Sequence, residues 1–582
     1  MHKLLLPIFI LVTLVASIKL VYAVEVNYDV LCYHDVSDTV DGNLEHETTK
    51  LSTKHLASHL AWLSEHGYHP VSVNDILDAQ KGTKPLPQKP VLLTFDDGYV
   101  SFYTHVYPLL KLFNYPAVFA LVGSWLEAEP SETVDYGGKQ VPRKNFLTSL
   151  QIKEMAKSGL IEFSSHSYNL HHGVLLNPYN STDAAATTRQ YLPGNKLYET
   201  KAAYIARITA DLKRNSEYIE KLTNKKPRVM TWPYGKYNEI TLNIAKQLGM
   251  PINLTLDDKF EKPNSIYDLT KISRTLIDGN PSERDLVGIL KKEKPLEQQR
   301  IMHIDIDFLY DEDKVQMQKN FDVLIERIKS LSPSTVYLQA FADSDGDGTA
   351  SALYFQNRHL PVRADIFSRV ARQIETRAGA RVYAWMPVLA YDLQDKNLQT
   401  KLSVTNINNQ TKQGEYRRLS PFSLEAKTII KEIYEDLASH ATFDGIIFHD
   451  DATLSDEEDN SDYARKVYTQ QWQLPNSISA INKNEKLIND WSELKSRWIT
   501  DFTIELVDVV KQYHPMLKTA RNLYASAMLE PQSEQWLAQN YEDFLSHYDY
   551  TAVMAMPKME NIEDFSSWLK ALVHRAEQSP NG

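Results

Sequence analysis

The sequence predicts an α/β protein of two (β/α) barrel-like domains, an N-terminal barrel followed by a TIM-like one. Three observations predict this. Short apolar runs rich in β-branched and aromatic residues alternate with amphipathic helical stretches, the pattern of a parallel sheet wrapped by helices. A charged, proline-bearing stretch at 291–300 interrupts the alternation, which then restarts. The length of 582 residues suits two domains of roughly 250–300 residues, each large enough for its own core.

The chain opens with Lys3, an apolar run over 4–18 and Val21-Tyr22-Ala23, which together read as a secretory signal over 1–23. The run falls short of the ~20 residues that span a bilayer. Lys19 interrupts it, so cleavage before Val24 is expected, with a retained anchor as the alternative. Strands are expected at 26–32, 91–95, 117–121, 161–163 and 229–232, with long helices at 53–66 and 200–223. A further helix carries its own start and stop: Thr148 with Gln151 resembles a capping box, Ile152, Met155 and Ala156 give an apolar face, and Gly159 ends it. These elements place a first domain at 24–285, a linker at 286–299 and a second domain at 300–582. In the second, strands are expected at 301–309, 335–341, 381–389, 445–448, 517–523 and 550–556. Six strands are fewer than the eight of a closed barrel, and the chain stops soon after a helix-like stretch at 565–576, so a truncated C-terminus is one expectation.

Apolar residues make up 43% of the chain and charged residues 24%, ordinary values for a soluble globular protein. The formal net charge of −12, with no long basic run, argues against nucleic acid as a partner. Cys32 is the sole cysteine, so no intramolecular disulfide supports the fold and the cores must suffice.

Two clusters carry chemistry. The apolar run from Val91 ends in Thr94-Phe95-Asp96-Asp97-Gly98, and His166-Ser-Tyr-Asn-Leu-His171 follows another strand-like segment. Parallel α/β folds gather their reactive side chains at such strand ends. One carboxylate and two imidazoles make a metal site with open positions, which leaves a second carboxylate free to act as a base.

With Trp232-Pro-Tyr-Gly235, these segments resemble the signatures of the polysaccharide deacetylase family. The resemblance implies Asp97, His166 and His171 as metal ligands and Asp96 as general base. Its five-residue interval selects His171 over the adjacent His172. It moves the general acid to His34 of Tyr33-His34-Asp35, implies Trp232 and Tyr234 as a sugar-stacking wall, and suggests Arg143 as the group that orients Asp96. Asp and His ligands suit zinc, nickel, cobalt or iron. The two-domain layout resembles members that act in the Gram-negative periplasm on poly-β-1,6-N-acetyl-D-glucosamine, a biofilm matrix polymer. An outer-membrane export porin and a synthase complex are the partners so implied. Chitin or peptidoglycan as substrate, and a non-catalytic polysaccharide-binding export chaperone, are the alternatives.

A second acidic site follows the strand expected at 445–448, in His449-Asp450-Asp451-Ala-Thr-Leu-Ser-Asp456. Carboxylates there can bind sugar hydroxyls, bind amines or cleave glycosidic bonds. Asp450, Asp451 and Asp456 are candidate substrate contacts, Asp450 and Asp456 because they resemble the acidic groove positions of related modules, with Trp385 as a sugar platform. Deacetylation turns a neutral acetamide into a cationic amine, so an acidic groove is expected to retain product. Asp343-Ser-Asp345-Gly-Asp347-Gly348 imitates the opening of a calcium loop, but its twelfth position is Tyr354 rather than glutamate, so a plain strand-end loop is expected.

Overall fold

The computed structural model describes residues 27–38, 40, 49–257, 263–291, 299–410 and 416–579. The expected signal over 1–23 lies outside them. Among them, no helix is long and apolar enough to cross a membrane.

The first domain is a parallel sheet whose central path runs from Ile252–Thr255 through Val229–Thr231, Ile161–Ser165, Ala117–Leu121 and Pro90–Phe95 to Asp29–Tyr33. Strand Pro90–Phe95 is buried on both faces. Val91, Leu93 and Phe95 join one apolar cluster while Leu92 joins another. That two-sided burial explains an unbroken apolar run where a half-exposed strand would alternate. The sheet nearly closes on itself through one short segment: Ile272–Ser273 pairs with Ile252–Thr255, and Thr275–Leu276 pairs with Asp29–Tyr33. Arg274 stands between the two half-strands, at the seam of the barrel.

The expected helices form at Thr53–Glu65 and Lys201–Thr223, capped by the side chains of Ser52 and Thr200. The capping box of Thr148 and Gln151 opens helix Ser149–Ala156. Helix Glu283–Lys291 buries Leu286 in the first core. The linker expected from 286 thus begins inside a helix, because Leu286, Val287, Ile289 and Leu290 have apolar partners to cover. Most of the remaining linker lies outside the described residues.

The second domain holds six parallel strands in sequence order, a half-barrel: Ile301–Ile304, Thr335–Gln339, Arg381–Met386, Gly445–Phe448, Lys518–Tyr524 and Tyr550–Met554. The expected strand at 301–309 is shorter because Ile306–Phe308 turns into a 3-10 helix. Helix Glu485–Lys511 spans 27 residues and buries Trp491, Ile499, Phe502, Leu506 and Val510 against this sheet's core. The two (β/α) domains of the expected fold class are thus present.

Small hairpins between Gly173 and Tyr198 bridge the domains. Asn177 Nδ2 donates to Ser368 Oγ at 2.9 Å, Arg189 to Ser439 Oγ at 3.0 Å, and the Tyr198 phenol to Asp365 at 2.7 Å. A cavity of about 820 Å³ remains between the domains, lined by Lys236, Tyr237, Asp257, Glu375 and Tyr513 among others.

Candidate active site

Asp96 and Asp97 leave strand Pro90–Phe95 where the backbone turns sharply. Asp97 and Gly98 take φ of 76° and 77°. That left-handed conformation is costly for an aspartate and is tolerated where function gains from it. His166 follows Ile161–Ser165, and its backbone N–H bonds Leu121 O at 3.0 Å. Two parallel strands with Ala117–Leu121 between them therefore deliver the carboxylates and the imidazole to one end of the sheet.

Asp97 Oδ1 lies 3.4 Å from His166 Nε2 and 3.4 Å from His171 Nε2. His166 Nδ1 donates to Thr231 O at 2.7 Å, which turns Nε2 toward Asp97. The Tyr136 phenol donates to Asp97 Oδ2 at 2.7 Å. Asp97 Oδ1 is buried and has no hydrogen-bond partner. Donors held ~2.0–2.2 Å from one tetrahedral ion stand about 3.4 Å apart. The donor set and its orphaned oxygen therefore fit a divalent cation.

Electrostatics match that use. Burial alone would raise the Asp97 carboxyl, but the histidines around it hold it well below the usual carboxylate range. Burial pushes His171 down to about 4, leaving it a neutral ligand at neutral pH. Burial would also lower His166, yet Asp97 and Asp96 carry it upward.

Asp96 stands beside this cluster, with Oδ2 4.0 Å from His166 Nε2 and 3.9 Å from His34 Nε2. Its orienting partner is Arg274, whose Nη1 reaches Oδ1 at 2.7 Å and Oδ2 at 2.9 Å. Burial would raise Asp96, but the Arg274 guanidinium, together with His166 and His34, outweighs it and holds the carboxyl below its usual range.

Several expected residues stand elsewhere. Arg143 does not touch Asp96; its guanidinium caps the carbonyls of Leu126, Phe146 and Leu147, which a tight loop leaves without strand partners. Trp232 forms no wall, being 0% exposed with Nε1 bonded to Asn253. Tyr234 is 42% exposed, at φ 56°, with its ring 4.5 Å from that of His171. Trp125 and Tyr136 pack on His171 as well.

In the second domain Asp450 accepts from Tyr524 at 2.8 Å and pairs with His449 Nε2 at 3.0 Å. Trp385 lies 5.3 Å from the His449 ring. Burial would lower His449, but Asp450 and Asp451 push it up to about 10. Asp451 does not face a groove: it is fully buried and accepts the backbone N–H groups of Val388, Leu389 and Ala390. Asp456 is exposed further along the loop, and its charge acts on Lys495 rather than joining Asp450. In the acidic loop, Arg417 pairs with Asp347 and Asp392.

Residues 83–252 match the family described as Polysaccharide deacetylase, and residues 303–582 match Hypothetical glycosyl hydrolase family 13. The poly-β-1,6-N-acetyl-D-glucosamine N-deacetylase of Escherichia coli strain K12 is 44% identical over 554 residues, covering 94% of this chain and 81% of that protein. A protein of the same name from Staphylococcus aureus strain N315 is 26% identical over 215 residues, covering 37% of this chain and 64% of that protein. Among solved structures, the glycoside hydrolase domain of PgaB (BpsB) from Bordetella bronchiseptica aligns at 46% identity and a TM-score of 0.46, covering 48% of this chain and 80% of that one.

A parallel barrel with clustered carboxylates and imidazoles at its strand ends, joined to a glycoside-hydrolase-like half-barrel, defines a polysaccharide N-deacetylase. The family expected from the motifs is borne out. The chain belongs to the family of poly-β-1,6-N-acetyl-D-glucosamine N-deacetylases.

Proposed function

We propose that this chain removes N-acetyl groups from poly-β-1,6-N-acetyl-D-glucosamine, with a divalent cation held by Asp97, His166 and His171. The observation that carries the reading is Asp97 Oδ1, a buried anionic oxygen with no hydrogen-bond donor and two imidazole nitrogens 3.4 Å away. A divalent ion there, whether zinc, nickel, cobalt or iron, supplies positive charge that lowers the pKa of a water toward ~7 and polarises the acetamide carbonyl.

Asp96, kept ionised by Arg274, takes the proton of the water that attacks the carbonyl carbon. As the C–N bond breaks, His34 gives a proton to the departing nitrogen, because an unprotonated amine anion is a poor leaving group. Acetate and a glucosamine amine result. Tyr234, exposed beside His171, offers the sugar ring an aromatic face.

Asp450 and Trp385, a carboxylate and an aromatic ring that both lie against His449 in the second domain, make a combination suited to an amine-bearing sugar. The apolar run at 4–18 followed by Val21-Tyr22-Ala23 supports export to the periplasm. A synthase complex upstream and an outer-membrane porin downstream are the partners this setting assigns. A polysaccharide-binding chaperone would have no use for the orphaned Asp97 oxygen.

The test combines metal analysis with acetate release from poly-β-1,6-N-acetyl-D-glucosamine oligomers. Asp96→Asn is expected to keep the metal and lose at least about 100-fold in rate, within the range for general base catalysis. Asp97→Ala with His166→Ala is expected to lose both. Normal release by the metal-free double variant would overturn the reading.

A further inference from the structure

Two atoms of one carboxylate have opposite surroundings. Asp97 Oδ1 is buried and unbonded, whereas Oδ2 accepts a 2.7 Å hydrogen bond from the Tyr136 phenol. We propose that Tyr136 is a positioning residue that ties down one oxygen of Asp97, so that the other alone is presented, with His166 and His171, to the cation. The inference rests on the cation-site reading above and assigns a further group to it.

The scaffold around Tyr136 suits this role. Tyr136 ends the first arm of a hairpin, Thr133–Tyr136 against Lys139–Pro142. Thr133 and Asp135 on that arm are exposed, while Val134 is buried and Tyr136 is half-buried, so one face of the arm points at the site. The foot of the hairpin is fixed twice: Arg143 N donates to Glu132 O at 3.0 Å, and the Arg143 guanidinium bonds three carbonyls. Rings of Trp125 and His171 lie 5.2 and 5.7 Å from the Tyr136 ring. Packing thus places the phenol independently of the hydrogen bond it makes. Without that bond, Asp97 could rotate about its terminal torsion, and binding would then have to order it. Groups that orient a metal ligand typically contribute 10–100-fold to affinity.

The test uses the full-length protein stripped of metal, with zinc as the probe and a chromophoric chelator as competitor. Tyr136→Phe keeps the ring and removes the hydroxyl. Tyr103→Phe removes an equivalent phenol that bonds Glu154 at the surface. Tyr136→Phe is expected to bind zinc about 10-fold more weakly than wild type, with the near-ultraviolet circular dichroism spectrum of the apoprotein retained and with acetate release recovering at saturating zinc. Tyr103→Phe is expected to match wild type. Unchanged zinc affinity in Tyr136→Phe would overturn the proposal while leaving the cation site standing. So would an affinity loss that comes with a collapsed near-ultraviolet dichroism of the apoprotein and is not recovered at saturating zinc, which would mark a merely structural role. If wild type bound zinc no better than Asp97→Ala, the cation-site reading itself would fail, and the role of Tyr136 with it.

Discussion

Arg274 meets both oxygens of Asp96 with both side chains buried, so each charge depends on the other. Breaking a buried pair by removing one partner costs about 3–5 kcal/mol, since the remaining charge is stranded. Arg274→Gln should therefore lower stability by an amount in that range, read by denaturant unfolding. It should also change the pH profile in a defined direction. Arg274 contributes most, ahead of His166 and His34, to holding the Asp96 carboxyl below its usual range against the upward push of burial. Without it the carboxyl protonates at higher pH, and the acidic limb of kcat/KM should move upward. A limb that stays in place would show that Asp96 is not the base. Sequence alone singles out Asp96, Asp97, His166 and His171, because an apolar strand that ends in paired acids or in a histidine is visible in order. It does not reveal Arg274. Its seam consists of two half-strands of two residues each, Ile272–Ser273 and Thr275–Leu276, too short for any periodicity. Trp232 misleads for a different reason, since a tryptophan at a strand end reads alike whether it faces sugar or, as here, a buried asparagine.

Helix Lys201–Thr223 shows how an element far from the chemistry holds the ligand loop. Tyr204, Ile208, Leu212 and Ile219 bury one face of it. From the same helix, Asn215 Nδ2 donates to Leu121 O at 3.0 Å and to Ser165 Oγ at 2.8 Å. The approach is close: a Cβ on Gly123 would lie 2.5 Å from Asn215 Oδ1, so only glycine fits there. Asp211 accepts the backbone N–H groups of Tyr168 and Asn169 at 2.8 and 2.7 Å, midway between His166 and His171. Burial pushes its carboxyl up to about 6, so it remains largely ionised at neutral pH. Asp211→Ala would strand two amide donors at a cost of about 1–3 kcal/mol. Amide hydrogen exchange at Tyr168 and Asn169 should accelerate while strand Ala117–Leu121 stays protected. Equal protection in variant and wild type would show that the loop holds itself. Helical period and caps made this helix legible from 200 onward, but no sequence pattern tells which of its polar residues faces a loop. Strand starts and ends were less legible. Residues 387–389 continue the apolar run of Arg381–Met386, but Pro387 has no N–H to give the ladder and the N–H groups of Val388 and Leu389 turn to Asp451, so the strand stops at Met386.

At the scale of the whole molecule, Glu435 of the second domain is the hub of the interface. It accepts from Lys201 of the first domain at 2.8 Å, from Tyr513 at 3.0 Å and from Arg358 at 2.8 Å. Burial would raise its carboxyl, but Lys201 and Arg358 lower it to about 2. A carboxyl depressed on folding contributes stability that is complete above its unfolded value of ~4.3 and fades as pH falls toward the folded one. Domain docking should therefore weaken between about pH 4 and pH 2, while neutral conditions keep it intact. Reversing the charge tests the same contact at neutral pH, because Glu435→Lys would set a lysine against Lys201 and Arg358. Other bridges, among them Asn177 to Ser368, Arg189 to Ser439, Thr442 to Asp183 and Tyr198 to Asp365, are single hydrogen bonds, each worth ~0.5–3 kcal/mol, and the new like-charge contact with Lys201 across the interface works against them. Scanning calorimetry should then resolve two transitions for Glu435→Lys where wild type gives one. Adding Lys201→Glu restores an opposite pair across the interface and should draw the transitions back together. A single, unshifted transition in Glu435→Lys would mean that the apolar contacts around the 820 Å³ cavity hold the domains without this hub.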